Sequence, residues 1–191
     1  MKTLNELFRL VILANELDNN ESVALRFSDP DGADSGKSGW SFGVCQFDTR
    51  NNDSALKCLL ECGFTHDEIV GVVSQSIDVK FLNKKLVGGA DIIAKYDTAQ
   101  LSRCLTSTMN FCNDHLLPVT DTGALLAIAD YINQYGSCGD GFAAYMKGLN
   151  RPVIASDILD FKLSNTKYGR EHPKDCARRY KNLIDIVKEN V

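Results

Sequence analysis

Three polar residues near the N-terminus have the types and the order that cleavage of a glycosidic bond requires. Glu21 follows a segment with helical periodicity, Asp29 opens a stretch rich in turn formers, and Ser41 lies just beyond that stretch. Such cleavage needs a carboxylic acid that protonates the leaving oxygen and a second group that stabilises the oxocarbenium ion or positions water. We therefore predict Glu21 as the general acid, with Asp29 and Ser41 as its catalytic partners. Glu16, on the predicted helix that precedes Glu21, is the alternative candidate for the general acid.

The elements that must position these residues are a helix and a β-hairpin. Apolar residues recur at helical spacing from residue 3 to residue 18, which predicts an amphipathic helix. Residues 22–28 and 40–48 are typical of two strands, and residues 29–39 between them are dense in turn formers. We expect these segments to form one hairpin with a long loop.

Beyond residue 50 the chain has helical patterns almost to its end. Leu56, Leu59 and Leu60 indicate one helix, and Thr65 with Glu68 forms a capping box that opens the next. The fold class that these patterns predict is α+β, mainly α. Further helices are predicted at residues 89–96, 98–114, 122–135, 139–148, 155–164 and 173–190.

Length, composition and charge are those of an ordinary globular domain. The chain has 191 residues, of which 44% are hydrophobic, and its net charge of −4 argues against a nucleic-acid partner. No apolar run reaches the length of a membrane span, and charged residues interrupt the N-terminus, so neither membrane insertion nor a signal peptide is predicted. We expect a monomer that is made in the cytoplasm.

Neither the cysteines nor the turn-rich loop predicts a metal or another cofactor. The seven cysteines include no Cys-x-x-Cys pair, and their odd number excludes complete pairing within the chain, so we expect free thiols. Residues 32–38 resemble a phosphate-binding loop, but Asp31 stands where the first glycine of that motif belongs. Asp29, Asp31 and Asp34 lack the spacing and the closing Glu of an EF-hand calcium loop.

The segment around Glu21 resembles phage-type lysozymes. Those enzymes carry Glu-Gly-x-x-Leu-x-x-Tyr-x-Asp, a glycine-containing turn and Thr-Ile-Gly. Here residues 21–29 are Glu-Ser-Val-Ala-Leu-Arg-Phe-Ser-Asp, and residues 41–43 are Ser-Phe-Gly. The resemblance implies that Glu21 is the general acid, Asp29 the water-positioning carboxylate and Ser41 the hydroxyl that assists it. Because the loop is longer here, Asp31 or Asp34 are alternatives to Asp29.

Two other segments extend the resemblance and supply candidate substrate-binding residues. Glu21-Ser22 together with Phe-Gly-Val-Cys-Gln at residues 42–46 is similar to goose-type lysozymes and lytic transglycosylases, which implies that Gln46 lines the sugar site. Residues 124–136 resemble the apolar helix of phage-type lysozymes and imply a substrate role for Tyr131, Asn133 and Gln134. The alternative for Gln46 is to satisfy backbone groups, and for the other three it is a place in the core or at a helix end.

The resemblance implies a lysozyme-like fold in a single catalytic domain over residues 1–191, with a β wing at about 21–50 and a helical lobe at about 51–191. The implied substrate is peptidoglycan, cleaved without a cofactor at the β-1,4 bond between N-acetylmuramic acid and N-acetylglucosamine. A phage endolysin of this kind accumulates in the host cytoplasm and reaches the wall in the periplasm after release. The alternatives are an injected toxin, a lytic transglycosylase that uses the same Glu, and a non-catalytic glycan-binding module.

Overall fold

A computed structural model describes residues 2–29, 32 and 37–191 of the chain. The chain forms two compact units, Glu16–Gln100 and Met1–Asn15 with Leu101–Val191. The hairpin and the helical segments that follow it as far as Gln100 belong to one unit, which therefore extends beyond the predicted wing of residues 21–50.

The fold class is α+β and mainly α, as the sequence predicts. Two short strands, β1 (Ser41–Phe42) and β2 (Phe47–Asp48), pair antiparallel, with Ser41 opposite Asp48 and Phe42 opposite Phe47. The helices in the described part of the chain are α1 (Leu4–Leu17), α2 (Glu21–Ala24), α3 (Asp53–Glu61), α4 (His66–Val73), α5 (Asn83–Gly88), α6 (Ala90–Asp114), α7 (Thr122–Tyr135), α8 (Asp140–Gly148), α9 (Ala155–Asn165), α10 (Lys167–Glu171) and α11 (Pro173–Asn190).

The predicted strand at residues 22–28 is wrong, and the predicted hairpin changes with it. Glu21–Ala24 is a helical turn because the side chain of Asn20 accepts a hydrogen bond from the Ser22 backbone N–H and caps it. Within 22–28 only Ser28 takes part in β-structure, through an isolated antiparallel bridge to Ser41. The hairpin therefore lies wholly inside the second predicted strand, where residues 43–46 form its turn.

The unit of residues 16–100 is built on one apolar core that includes the hairpin. Phe42 and Phe47 are almost fully buried and pack against each other, with ring centroids 5.8 Å apart. Phe27 contacts Phe42 edge to face at 5.8 Å. Helices α3, α4 and α5 contribute Leu59, Val72 and Leu86 to this core, and α6 contributes Ile93. The hairpin thus has a buried face fixed by packing, which holds its turn in a defined position.

The unit of residues 1–15 and 101–191 has its own core around α7. The helix carries a nearly continuous run of buried residues, Gly123 to Ile132 with one half-buried exception. Phe142 and Phe161 pack against it, with ring centroids 4.9 Å from each other. The segment between α6 and α7 is joined to the segment between α8 and α9 by an isolated parallel bridge of Val119 with Val153.

Most helix predictions beyond residue 50 are confirmed. Helices α7 and α11 have the predicted bounds, and the capping box of Thr65 and Glu68 forms at the start of α4. The predicted break between residues 96 and 98 is wrong, because α6 continues through it as one helix. None of the helices that the structure describes is long and apolar enough to span a membrane.

Candidate functional site

The turn at residues 43–46 is held by a buried carboxylate from a distant helix. Asp97 of α6 accepts hydrogen bonds from the backbone N–H groups of Val44, at 3.0 Å, and Cys45, at 2.9 Å. Asp97 is only 4% exposed. Gly43 lies in the left-handed region with φ of +79°, and a Cβ there would stand 3.0 Å from Asp97 Oδ1. A glycine at this position is therefore required by both the backbone and the carboxylate.

Ser41 and Gln46 form part of a hydrogen-bonded junction with Ser28. The backbone N–H and C=O groups of Ser28 and Ser41 exchange two hydrogen bonds of 2.8 Å. Gln46 Oε1 accepts from Ser28 Oγ at 2.6 Å, and Gln46 Nε2 donates to the Gly43 carbonyl at 2.8 Å. Ser41 itself is 2% exposed. Both polar atoms of the Gln46 side chain are thus hydrogen-bonded within this junction. One of the two bonds is to a backbone carbonyl, the role given above as the alternative to lining the sugar site.

Glu21 is the first residue of α2 and its side chain is exposed. The other end of α2 is fixed to the hairpin turn, because the Ala24 carbonyl accepts a 2.8 Å hydrogen bond from the Gly43 backbone N–H. One short helical turn therefore separates Glu21 from the Gly43–Gln46 turn.

Asp29 follows Ser28 directly and is half-buried. Its Oδ1 accepts a hydrogen bond from Gln75 Nε2 at 3.1 Å. Asp31 and Asp34, the alternatives for its role, lie outside the described residues. Glu16, the rival acid, is half-buried near the end of α1 and belongs to the same unit as Glu21.

The three predicted substrate residues of α7 belong to the other compact unit. Tyr131 is 7% exposed and stacks on Tyr135, with ring centroids 4.4 Å apart. Asn133 Oδ1 accepts a weak hydrogen bond from the Cys104 thiol, and Gln134 Oε1 is buried with no hydrogen-bond partner among the described residues. Tyr131 is therefore a core residue of its unit, as the alternative for it proposed.

The sequence interpretation missed Asp97, Asn83 and Gln75. Asn83 Oδ1 accepts a 3.0 Å hydrogen bond from the Phe27 backbone N–H and so fixes the segment between α2 and the hairpin. A signal for Asp97 was present, because it lies one helical turn from both Ile93 and Leu101 on the apolar face of α6. A carboxylate on such a face must find a partner.

Neither a metal nor a cofactor site stands out in the part of the chain that the structure describes. No group of three or more His, Cys, Asp or Glu side chains there could hold a metal ion. None of the seven cysteines, all of which lie in the described part of the chain, forms a disulfide, and Cys58, Cys104, Cys112 and Cys176 are buried. Burial raises the pKa of the Cys138 thiol to about 12, so even this half-buried group is a poor nucleophile at neutral pH.

Comparison of the chain with models of protein families, with curated proteins and with solved structures found no match in any of the three. The resemblance to lysozymes therefore rests on the residues of this sequence.

Proposed function

We propose that the chain is a peptidoglycan-cleaving glycosidase of lysozyme-like fold, with Glu21 as its general acid. The observation that supports this most is the direct connection of α2 to the hairpin turn. The Ala24–Gly43 hydrogen bond and the Ser28–Ser41 bridge join the segments that carry Glu21, Asp29, Ser41 and Gln46. A carboxylic acid and a second carboxylate on connected segments are the groups that glycoside cleavage uses.

In this proposal each residue has one task. Glu21 protonates the glycosidic oxygen of the bound sugar as the bond breaks. Asp29 positions the attacking water, and Gln75 orients Asp29 through its 3.1 Å hydrogen bond. Ser41 and Gln46 shape the floor of the site, with Asp97 as the positioning residue of the turn.

The proposed substrate and setting follow the lysozyme resemblance. The bond cleaved is the β-1,4 linkage between N-acetylmuramic acid and N-acetylglucosamine, as in a phage endolysin that accumulates in the host cytoplasm until release. A lytic transglycosylase would use the same Glu21 but would need no water, and Asp29 would then be dispensable.

A non-catalytic glycan-binding module is the second candidate. The exposure of Glu21 favours it, because a general acid normally needs a desolvated environment. The side chain of Gln46 also favours a binding module over an enzyme, since both of its polar atoms already have hydrogen-bond partners within the protein.

Digestion of purified Gram-negative sacculi, followed by mass spectrometry of the released fragments, tests the proposal. We expect Glu21→Gln to lower the rate of release by about 10²–10⁴-fold, the usual contribution of a general acid. Glu16→Gln tests the rival acid, and Glu189→Gln, at an exposed position near the end of α11, is the matched control.

The products separate the candidates. Reducing N-acetylmuramic acid ends support hydrolysis, whereas anhydro ends assign the enzyme to the transglycosylases. Equal activity of wild type and Glu21→Gln would overturn the assignment of the acid. If wild type releases nothing but sediments with sacculi, the binding module replaces the enzyme.

A further inference from the structure

The turn that leads into α5 exposes an aromatic side chain. Phe81 is 76% exposed, whereas Tyr168, the next most exposed Phe, Tyr or Trp of the described residues, is 37% exposed. The inward positions of this turn belong to Val79 and Leu82, which are 7% and 6% exposed. The Phe81 ring is therefore held in solvent by the packing of the apolar residues on either side of it.

Hydrogen bonds to the backbone fix the conformation of this turn. The Leu82 N–H donates to the Val79 carbonyl at 2.9 Å, and the Asn83 N–H donates to the same carbonyl at 3.1 Å. Asp78 Oδ1 accepts a hydrogen bond from the Lys80 N–H at 2.9 Å. An aromatic ring carried by such a turn loses little conformational freedom when a ligand packs against it, which favours binding.

The segment that carries Phe81 is bound to the candidate site at two places. Gln75 Nε2 donates to Asp29 Oδ1 at 3.1 Å before the turn, and Asn83 Oδ1 accepts from the Phe27 N–H at 3.0 Å after it. Phe81 is two residues from Asn83, so their Cα atoms are at most about 7 Å apart. The turn therefore lies beside the segment that carries Asp29, within reach of a sugar chain that extends from it.

The neighbours of the ring limit what it binds. Asp78, Lys80 and Lys84, close to Phe81 in the chain, are exposed and charged. The apolar area of this turn is therefore that of one aromatic side chain, about 150–250 Å², whereas a protein partner needs an interface of about 1,000 Å² or more. A pyranose ring fits, because its C–H face packs on the negative face of the aromatic ring and its hydroxyls hydrogen-bond to charged groups.

We propose that Phe81 is a sugar-binding residue, on which one pyranose ring of the glycan stacks while the glycan chain continues towards Asp29. This inference rests on the function proposed above, because that function supplies the glycan. Phe81 acts away from the bond that is cleaved, so its contact is the same before and during the reaction. Loss of such a contact raises the substrate concentration needed for half-maximal rate and leaves the maximal rate unchanged.

Two measurements on purified sacculi test this inference: cosedimentation in the cold gives the affinity, and the rate of fragment release gives turnover. We expect Phe81→Ala to bind about three- to tenfold more weakly and to raise the half-saturating sacculus concentration by the same factor. Its maximal rate should equal that of wild type, and Phe81→Tyr, which keeps a ring, should bind like wild type. Leu60→Ala is the matched control, because Leu60 is an apolar side chain of the same compact unit and is 57% exposed.

Several outcomes decide against the role of Phe81. Unchanged affinity in Phe81→Ala, or an equal loss of affinity in Leu60→Ala, overturns it. Wild-type affinity in Phe81→Leu also overturns it, since an apolar side chain without a ring would then be enough.

The failure of this inference and the failure of the proposed function are distinguishable. Cosedimentation needs no turnover, so it judges Phe81 even if Glu21→Gln digests sacculi as fast as wild type and the assignment of the acid is wrong. If Glu21→Gln is inactive but Phe81→Ala sediments with sacculi like wild type, only the sugar-binding role of Phe81 is overturned. If wild type neither digests sacculi nor sediments with them, both proposals fail.

Discussion

At the scale of single residues, Gly43 is the position whose chemistry is most tightly constrained. Its φ of +79° favours glycine, and an added Cβ would stand 3.0 Å from both Asp97 Oδ1 and the Phe47 ring. The turn that it opens carries Gln46 and is joined to α2, so its geometry affects Gln46 and the segment that carries Glu21.

We expect Gly43→Ala to lower the free energy of unfolding by about 1–3 kcal/mol, because the substitution adds backbone strain and displaces a buried carboxylate. Urea unfolding measures this change. Gly88→Ala is the control in the same unit, since a Cβ at Gly88 meets nothing within 4 Å. That variant should be neutral or more stable by about 0.4–1 kcal/mol. A loss of stability at Gly88 equal to that at Gly43 would contradict the argument.

The roles of buried charged residues were the hardest features to predict from the sequence. Asp97, Asp130 and Lys162 each lie on the apolar face of a helix, where the sequence pattern alone suggests core. Their partners are far away in the chain, as with Asp97 and the backbone of Val44. Periodicity detects that such a residue is buried, but it does not identify what the residue binds.

At the scale of elements, local signals determine helix ends well. The Thr65 side chain accepts a hydrogen bond from the Glu68 backbone N–H, and the Glu68 carboxylate accepts one from the Thr65 N–H at 2.7 Å. The Asp121 carboxylate caps α7 in a similar way, through the N–H groups of Gly123 and Ala124. These contacts are made within four residues, so the sequence contains all that is needed to predict them.

We expect Thr65→Ala to destabilise the protein by about 0.5–2 kcal/mol, the usual cost of a lost N-cap. The start of α4 should also exchange its amide hydrogens faster, which hydrogen exchange measures residue by residue. Thr98→Ala is the matched control, because Thr98 lies exposed within α6 and its hydroxyl only donates back to the Ala94 carbonyl. An unchanged exchange rate at α4 in Thr65→Ala would refute the role of the cap.

The hairpin is the element that local sequence patterns predicted least well. Residues 22–28 contain β-branched and aromatic residues, yet the Asn20 cap makes Glu21–Ala24 helical. The strand pairing of Ser41 with Asp48 then depends on the buried faces of Phe42 and Phe47, which pack on residues from α3 and α4. Strand register is a property of the packed core, so a single segment does not reveal it.

At the scale of the whole molecule, several carboxylates make folding sensitive to acid. Burial opposes ionisation of Asp157, but two hydrogen bonds from Arg151, at 2.7 and 2.9 Å, and one from the Ile154 N–H lower its pKa. The pKa values of Asp130 and Asp175 are lowered by arginine in the same way, against burial.

A lowered pKa in the folded state contributes stability that is complete above the unfolded pKa, about 3.9 for Asp, and is lost as the pH falls through the folded value. We therefore expect the free energy of unfolding to be nearly constant between about pH 5 and about pH 8 and to decrease below about pH 4. Urea unfolding at a series of pH values measures this. Asp157→Asn should be less stable at pH 7 and should decrease less steeply in acid, and an unchanged slope would contradict the assignment.

The sequence by itself determined the mainly helical fold class and the position of most helices, and it supplied the residues on which the proposal of glycoside cleavage rests. These follow from periodicity, caps and residue type, which act over a few neighbouring positions. Only the tertiary structure decided the pairing register of the hairpin, the hydrogen bonds of Asp97 to the hairpin turn, and the meeting of Asp130, Lys162 and Arg179 in a buried group. Each of these depends on contacts between residues far apart in the chain, and the free energy of such contacts comes from burial that no local segment encodes.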